Sequence, residues 1–389
     1  MEPPMVLPTP MLSVSQNPSS LLGPLMSSIT NTLSARETPW DLRRSPADHR
    51  RREGTLIPSW PHEDPVMPGG LRILYLSEKD VSELGLTMHD VIGLVEKGLR
   101  EHGEKEVEMP PKPGIHPSPG VFVHAMPAFV PKLGAAGMKW VTGSSVARER
   151  GLPYITGVFV LNDPETGIPL CVMGCKWLTD MRTGAVSAVA AKYLARPDSK
   201  VVGIIGAGAQ ARTQLLGLNE VLDLEEVKVY DIVRGVAERY ADEMGARLGL
   251  NVKPVGSAEE AVRGSDVVVT AVPVDVEPFV KRDWVGEGVL ALPLELNYAW
   301  EDEAIFSFDK FVVDDREQTE YHARETGRPL PEPYAELGEI VVGRKPGRES
   351  YEEKIMDMNY GLAIHDVVVG KRLYELALEK GVGTWLELL

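Results

Sequence analysis

The apolar run Val201-Val202-Gly203-Ile204-Ile205 leads without a break into Gly206-Ala207-Gly208-Ala209-Gln210-Ala211. This junction constrains the fold more than any other stretch. Continuous apolar residues over so short a run read as a strand buried on both faces, which calls for a parallel sheet covered by helices. The Gly-x-Gly-x-x-Ala spacing then gives each small residue a task. Gly206 permits the tight strand-to-helix turn. Gly208 removes a side chain where a pyrophosphate must approach the backbone. Ala211 lets the next helix, expected from Gln210 to Leu218, lie close to the sheet. The open N–H groups at that helix start face the phosphates with the positive end of the helix dipole.

A glycine pattern alone is weak evidence, and its surroundings decide. A second strand, Val227-Lys228-Val229-Tyr230-Asp231, ends in an acid 25 residues after Gly206. From there a carboxylate accepts hydrogen bonds from ribose hydroxyls. Asp231 would repel a 2′-phosphate, so NAD is the expected cofactor; Arg234 lies near enough to leave NADP open. A helix near Ala258–Val262 and a third strand, Asp266 to Val272, continue the alternation. The expected cofactor-binding residues are Gly206, Ala207, Gly208, Ala209, Gln210, Ala211, Asp231 and Thr270 of the third strand.

The strand–helix rhythm runs from Lys200 to about Val313. Before it the pattern is mixed. A strand is expected at Leu71–Leu76 and an amphipathic helix at Thr87–Gly98. Further strands are expected at Val121–His124, Ala136–Val141 and Thr156–Asn162, with 156–174 as a hairpin around Asp163-Pro164-Glu165-Thr166-Gly167. Arg182–Leu194 reads as a buried helix and Asp366–Lys380 as a closing one. The expected class is α/β: a Rossmann domain at 196–320, with mixed α+β sequence at 71–195 and loops and a closing helix at 321–389. Residues 1–70 are rich in Pro and Ser, with basic clusters at Arg43-Arg44 and Arg50-Arg51-Arg52. Such a segment buries too little apolar surface to offset its ordering entropy. We expect a disordered or loosely attached, untargeted extension. An organelle peptide, or a true start at Met67, are the alternatives.

Composition narrows the function. The formal net charge of −16 disfavours a nucleic-acid partner. No run approaches the roughly 20 apolar residues that span a bilayer. Two cysteines, Cys171 and Cys175, rule out a disulfide framework and read as small buried hydrophobes. The eight histidines show no metal-ligand spacing, so no metal is expected. His124 reads as structural, with a place lining the pocket as the alternative, and His365 belongs to the closing helix. A cytosolic location is the default.

Several blocks outside the glycine loop add a resemblance. Leu178-Thr179-Asp180-Met181-Arg182-Thr183-Gly184-Ala185 is one. Others are Met126-Pro127-Ala128-Phe129, Gly137-Met138-Lys139, Asn162 to Gly167, and Val312-Val313-Asp314-Asp315. From about Leu71 onward the chain resembles the ornithine cyclodeaminase/μ-crystallin family. The resemblance implies a homodimer, with an α+β substrate-binding and dimerisation domain built from 71–195 and 321–389, and amino acids or cyclic imines as substrates. It implies that Lys139 and Arg182 hold the substrate carboxylate, with Lys112 at roughly the place of a further cation. Cationic donors, and the Arg fork above all, suit a carboxylate. Thr183 joins the cofactor residues, either touching phosphate or capping its helix.

One position departs from the family. Its catalytic Asp aligns with Asn297 in Leu292-Pro293-Leu294-Glu295-Leu296-Asn297-Tyr298-Ala299-Trp300. An amide does not accept a proton as a carboxylate does. Asn297 is thus expected to orient substrate or water, and Glu295 is the candidate acid if this segment stays extended. With Lys139, these two form the expected catalytic set. The favoured reading is an NAD(P)-dependent oxidoreductase acting at a C–N bond. A cyclodeaminase that recycles its NAD, and a ligand-binding protein without turnover, are the alternatives.

Overall fold

Two eight-stranded sheets organise the computed structural model, which describes residues 66–67 and 70–389 except 275. The extension expected over 1–70 lies outside the described residues, save for 66–67 and Gly70. The first sheet holds Val66–Met67 (β1), Gly70–Leu76 (β2), Gly114–Ser118 (β3), Val121–Val130 (β4), Ala135–Ser144 (β5), Ile155–Asn162 (β6) and Pro169–Gly174 (β7). Their order is β1-β2-β7-β6-β5-β4-β3. The β6–β7 hairpin forms as expected, with Leu161 opposite Cys171. β4 and β5 run further than their apolar cores suggested, because β4 continues through Met126-Pro127 opposite Met138 and Lys139.

The second sheet holds Val201–Ile205 (β8), Glu226–Tyr230 (β9), Asn251–Pro254 (β10), Val267–Thr270 (β11), Leu290–Pro293 (β12), Lys310–Val313 (β13), Ala335–Glu336 (β14) and Ile355–Met358 (β15). The order is β10-β9-β8-β11-β12-β15-β13-β14, parallel throughout. β11, β12, β13 and β15 are buried at every residue, the state that continuous apolar strands predict. Each such Val, Leu or Ile contributes about 1.5–3 kcal/mol by leaving water. Between β8 and β11 the strand order reverses, opening the crevice where α/β proteins bind ligands. This is a Rossmann sheet, and the whole is α/β with an added α+β part. The boundary expected at 320 needs correction: β14 and β15 complete this sheet from beyond it. With only four residues and Asp357 among them, β15 carries no apolar period to read. The last strand, Thr384–Glu387 (β16), returns to the first sheet beside β2.

Two helices cover the inner face of the first sheet. The Ala363–Lys380 helix lies so close that a Cβ on Gly370 would sit 2.4 Å from the Phe159 ring. The other helix runs Lys176–Leu194, one and a half turns earlier than the expected Arg182 start, with Cys175 as N-cap. It is buried nearly all round, so no amphipathic stripe marks where it begins. It also crosses the Ala209–Val221 helix backbone to backbone. A Cβ on Gly184 would meet Thr213 O at 2.2 Å, and one on Gly217 would meet Gly184 O at 2.4 Å. The substrate-side helix is thereby locked to the helix that follows the glycine loop.

Candidate active site

The glycine loop has the shape that its residues predict. Gly206 takes φ +90°, and a Cβ there would stand 2.4 Å from Ala271 O. Gly208 is the N-cap of the Ala209–Val221 helix, and no side chain caps it. A Cβ on Gly208 would meet nothing within 4 Å. Gly206 is therefore glycine for the fold, whereas Gly208 opens space that the protein leaves clear. Ala211 is fully buried against the sheet. Arg212 Nη1 donates to the carbonyls of Ala207 and Gly208, both at 2.9 Å, so the loop's carbonyl side is occupied. An open helix start beside a clear glycine fits a dinucleotide pyrophosphate.

Asp231 stands at the end of β9. Its Oδ2 accepts from Ala207 N at 3.0 Å and its Oδ1 from Val233 N at 2.9 Å. The carboxylate is thus fixed at the strand end, with lone pairs left for a ribose. Gln210 contributes its backbone to the loop, while its side chain donates to Asp180 of the 178–185 block at 2.7 Å. One expectation changes. Thr183 lies two turns inside its helix and donates to Thr179 O at 2.7 Å, so it is no cap. The Thr270 hydroxyl donates to Glu295 Oε1 at 2.6 Å and accepts from Trp300 Nε1 at 3.1 Å. Fully buried, its side chain supports the turn after β12.

That turn is not extended. Leu296 takes φ +66°, rare for a residue with a Cβ, so Glu295 and Asn297 do not share an extended face. The condition for Glu295 to act as the acid is unmet. Its carboxyl is buried under Thr270 and Trp300, and burial pushes its pKa up to about 7, against backbone donors that pull the other way. Asn297 is 2% exposed, yet among the described residues neither its Oδ1 nor its Nδ2 has a partner. Leaving a buried amide unpaired costs about 1–3 kcal/mol per group.

The cations come from separate elements. Lys139, on β5 opposite Met126 and Phe159, donates to Asp366 Oδ1 at 2.8 Å. Arg182 Nε donates to the same oxygen at 3.1 Å. Among the described residues, the two terminal nitrogens of Arg182 have no hydrogen-bond partner. Gly361, at φ +83°, leaves room for that guanidinium: a Cβ there would lie 2.7 Å from Nη1. Lys112, on the Pro-rich loop, donates to Tyr360 O at 2.5 Å, and its backbone N–H donates to Gln318 Oε1 at 3.0 Å. Desolvation brings Lys112 and Lys139 down to about 8, reinforced by their mutual repulsion with Arg182 and opposed by Asp314 and Asp366. Lys139 is 0% and Arg182 8% exposed, so Arg182 is the more accessible of the pair.

Sequence reading missed the acids of this site. Asp366 binds both cations from the first turn of its helix. Asp314, at the end of β13, accepts from Gly361 N at 2.7 Å, and burial raises it to about 6. Asp357, on β15, is raised further by burial and by Asp314, and Asn359 Nδ2 donates to it. Two of these had a signal. Asp314 lies in a quoted sequence block, and Asp366 sits beside His365 in a helix start otherwise made of apolar residues.

Residues 74–381 match the model of the ornithine cyclodeaminase/mu-crystallin family. The chain belongs to that family. Alanine dehydrogenase of Archaeoglobus fulgidus is 38% identical over 327 residues, which is 81% of this chain and 98% of that protein. Among solved structures, Thermococcus litoralis Δ1-pyrroline-2-carboxylate reductase in complex with NADH and L-proline shares 38% identity. Its TM-score is 0.75, covering 80% of this chain and 99% of that one. An archaeal alanine dehydrogenase dimer with bound NAD has TM-score 0.75 and 36% identity, covering 82% and 100%. The fold, the family and these relatives make the chain an NAD(P)-dependent oxidoreductase. No helix of the described residues is long and apolar enough to cross a membrane.

Proposed function

We propose that this family member transfers hydride between NAD and the α-carbon of an amino acid or the matching imine. The observation that carries the reading is the unpaired fork of Arg182, held by Asp366 beside Lys139 within the same molecule as the open Gly208 cradle. A carboxylate fits that fork through two parallel hydrogen bonds. The related alanine dehydrogenase and pyrroline-2-carboxylate reductase are named for substrates with a carboxylate next to the reacting carbon.

The residues divide the work as follows. NAD, when bound, supplies the hydride acceptor. Arg182 and Lys112 bind the carboxylate and thereby orient the α-carbon; such orientation supplies much of the catalysis in a hydride transfer. Lys139 is covered in this structure, so it reaches substrate only when Asp366 or the Pro-rich loop shifts. With its pKa near 8, Lys139 Nζ takes up the amine proton in oxidation and returns it in imine reduction. Asn297 orients the substrate nitrogen or a water through its unpaired amide. Asp231 favours NAD by meeting ribose hydroxyls and repelling a 2′-phosphate. A cyclodeaminase needs an acid near the imine carbon; Asn297 is an amide, and Glu295 is engaged elsewhere.

We also propose a homodimer formed through the outer face of the first sheet. Tyr75 (42%), Trp140 (39%) and Val158 (38%) are exposed there. By register, Tyr75 lies beside Val172, Val160 and Met138, and Trp140 beside Val158, in an apolar band across four strands. Such a band marks an interface. The acidic chain and its two buried free cysteines suit a reducing, cytosolic setting.

The test is absorbance at the reduced-nicotinamide band. Amino acids are tried with NAD or NADP and cyclic imines with the reduced forms, while ammonia is assayed in parallel. A substrate-dependent absorbance change is expected. Ammonia release without it contradicts the proposal in favour of a cyclodeaminase.

A further inference from the structure

The Arg316–Thr326 helix has a sequence, Arg-Glu-Gln-Thr-Glu-Tyr-His-Ala-Arg-Glu-Thr, with no apolar stripe to bury. Among its described side chains, Gln318 and Thr319 are buried, both near its start. It is held at its ends. At the start, Asp315 caps it by accepting from Gln318 N at 2.7 Å, and Arg316 donates to the carbonyls of Pro333 and Tyr334. At the finish, Gly327 turns the chain at φ +66° and Arg328 follows.

Both ends also reach into the active site. In the first turn, Gln318 is 7% exposed, and its Oε1 accepts the backbone N–H of Lys112 at 3.0 Å. Past the last turn, Arg328 donates to Asn297 O at 2.7 Å, to Trp300 O at 3.1 Å and to Asp302 Oδ1 at 2.5 Å. All three acceptors belong to the stretch that carries Asn297 and follows the left-handed Leu296. A left-handed non-glycine residue persists only where its surroundings over-determine it. Arg328 supplies three of those constraints. From Gln318 to Thr326 the helix rises about 12 Å before Gly327 and Arg328 leave it.

We infer that this helix is a strut that sets the placement of the Lys112 loop relative to the Asn297 turn, with Gln318 and Arg328 as its two positioning residues. The inference rests on the proposed roles of Lys112 and Asn297, but the mechanical link itself does not require turnover. The side chains touch neither cofactor nor substrate in this scheme. They act through the loop that carries the carboxylate-binding cation and the turn that carries the amide. A change at one end is therefore transmitted to the other.

The sequence offers a clean reporter. Lys112 lies among Pro110, Pro111 and Pro113, which have no amide hydrogen, so Lys112 carries the only one in 110–113. Hydrogen exchange of a peptide covering this stretch reads the Gln318 bond directly. In full-length protein, Q318A raises Lys112 exchange by removing its acceptor. Arg328→Ala, at the far end, is expected to raise the same exchange at least fivefold while peptides in β11 keep their protection. Arg328→Lys, which retains a charge and one donor site, is expected to give an intermediate value; it also serves if the alanine variant fails to fold. In kinetics, Q318A mainly raises KM for the carboxylate substrate, R328A mainly lowers kcat, and NADH affinity stays within twofold. Sites this far apart are normally additive within about twofold; the strut predicts that Q318A and R328A together deviate from additivity in kcat/KM by fivefold or more. Lys112 exchange left at the wild-type rate in both Arg328 variants overturns the strut. Raised exchange in a protein that turns over no amino acid or imine keeps the strut and overturns the functional reading instead.

Discussion

The glycine loop and the cation pocket are built on opposite plans. The loop is made of backbone: Gly206 and Gly208 act by lacking a side chain, Ala211 by having only a methyl group, and Arg212 and Asp231 hold the frame. It is complete within a few consecutive residues. The pocket is made of side chains from β5, two helices and the Pro-rich loop, and it is left incomplete. Among the described residues Arg182 keeps an open fork, Asp366 Oδ2 and both amide atoms of Asn297 lack partners, and desolvation brings Lys112 and Lys139 down to about 8. A backbone cradle is finished before its ligand arrives, whereas a buried charged pocket is finished by the ligand. Stability and function should therefore separate differently in the two regions.

The largest effect is expected at Arg182. Arg182→Lys keeps the charge but loses the two-pronged geometry, so kcat/KM for the carboxylate substrate should fall about 100-fold or more, with NADH binding unchanged. Steady-state kinetics and a nucleotide titration check this. A loss of NADH affinity of similar size would merge the two regions and break the comparison.

The glycines sharpen it next. Gly206→Ala puts a Cβ at φ +90° and against Ala271 O, and should cost about 1–3 kcal/mol of stability or more from backbone strain alone. Gly208 has φ −82° and clear space, so Gly208→Ala should leave the melting temperature near that of the wild type. It should nevertheless weaken NADH binding about 10-fold or more, because the methyl group enters the pyrophosphate's space. Thermal unfolding and nucleotide titration on the same samples decide. Equal destabilisation by both would show that Gly208 is also there for the fold.

Asn297 reverses the pattern. Asn297→Ala removes a buried amide that the protein leaves unpaired, so stability should stay level or rise by about 1 kcal/mol while turnover falls about 10-fold. A clear loss of melting temperature would mean that the amide serves the fold.

The smallest effect is in pH. Lys112 and Lys139 are charged below about 8 and lose charge above it. Imine reduction, which needs the proton on Lys139 and the charge on Lys112, should decline as pH rises through about 8. Stability should move the other way. The folded values lie below the ordinary lysine value of about 10.4, so between the two the unfolded chain binds more protons and folding is favoured as pH rises. A rate and a stability that rise together over this range would contradict the assignment.

The same contrast explains what was legible in the sequence. Gly206, Gly208, Ala211 and Asp231 could be read because backbone shape is written in consecutive small residues and one fixed spacing. Lys139 and Arg182 came through their surrounding blocks and not through any spacing between them. Asp314 and Asp366 had only a faint local signal; Asp357 had none, and Gln318 and Arg328 were invisible because each matters through a partner far away in the chain. The bond between Thr270 and Glu295 was not legible because an apolar strand end hides whether a polar side chain points to a ligand or into the core. Thr183 was misplaced because a helix buried all round gives no sign of its start.

The most direct test of the account is to follow the hydride itself. Imine substrate is incubated with NADH deuterated at the transferable position, and the product amino acid is analysed by mass spectrometry. The account predicts one deuterium at the α-carbon, with Arg182→Lys slowing its appearance and Gly208→Ala raising the NADH concentration required. Product formed with all the deuterium still on the nucleotide, or no deuterium transfer to any carboxylate-bearing imine, would contradict it.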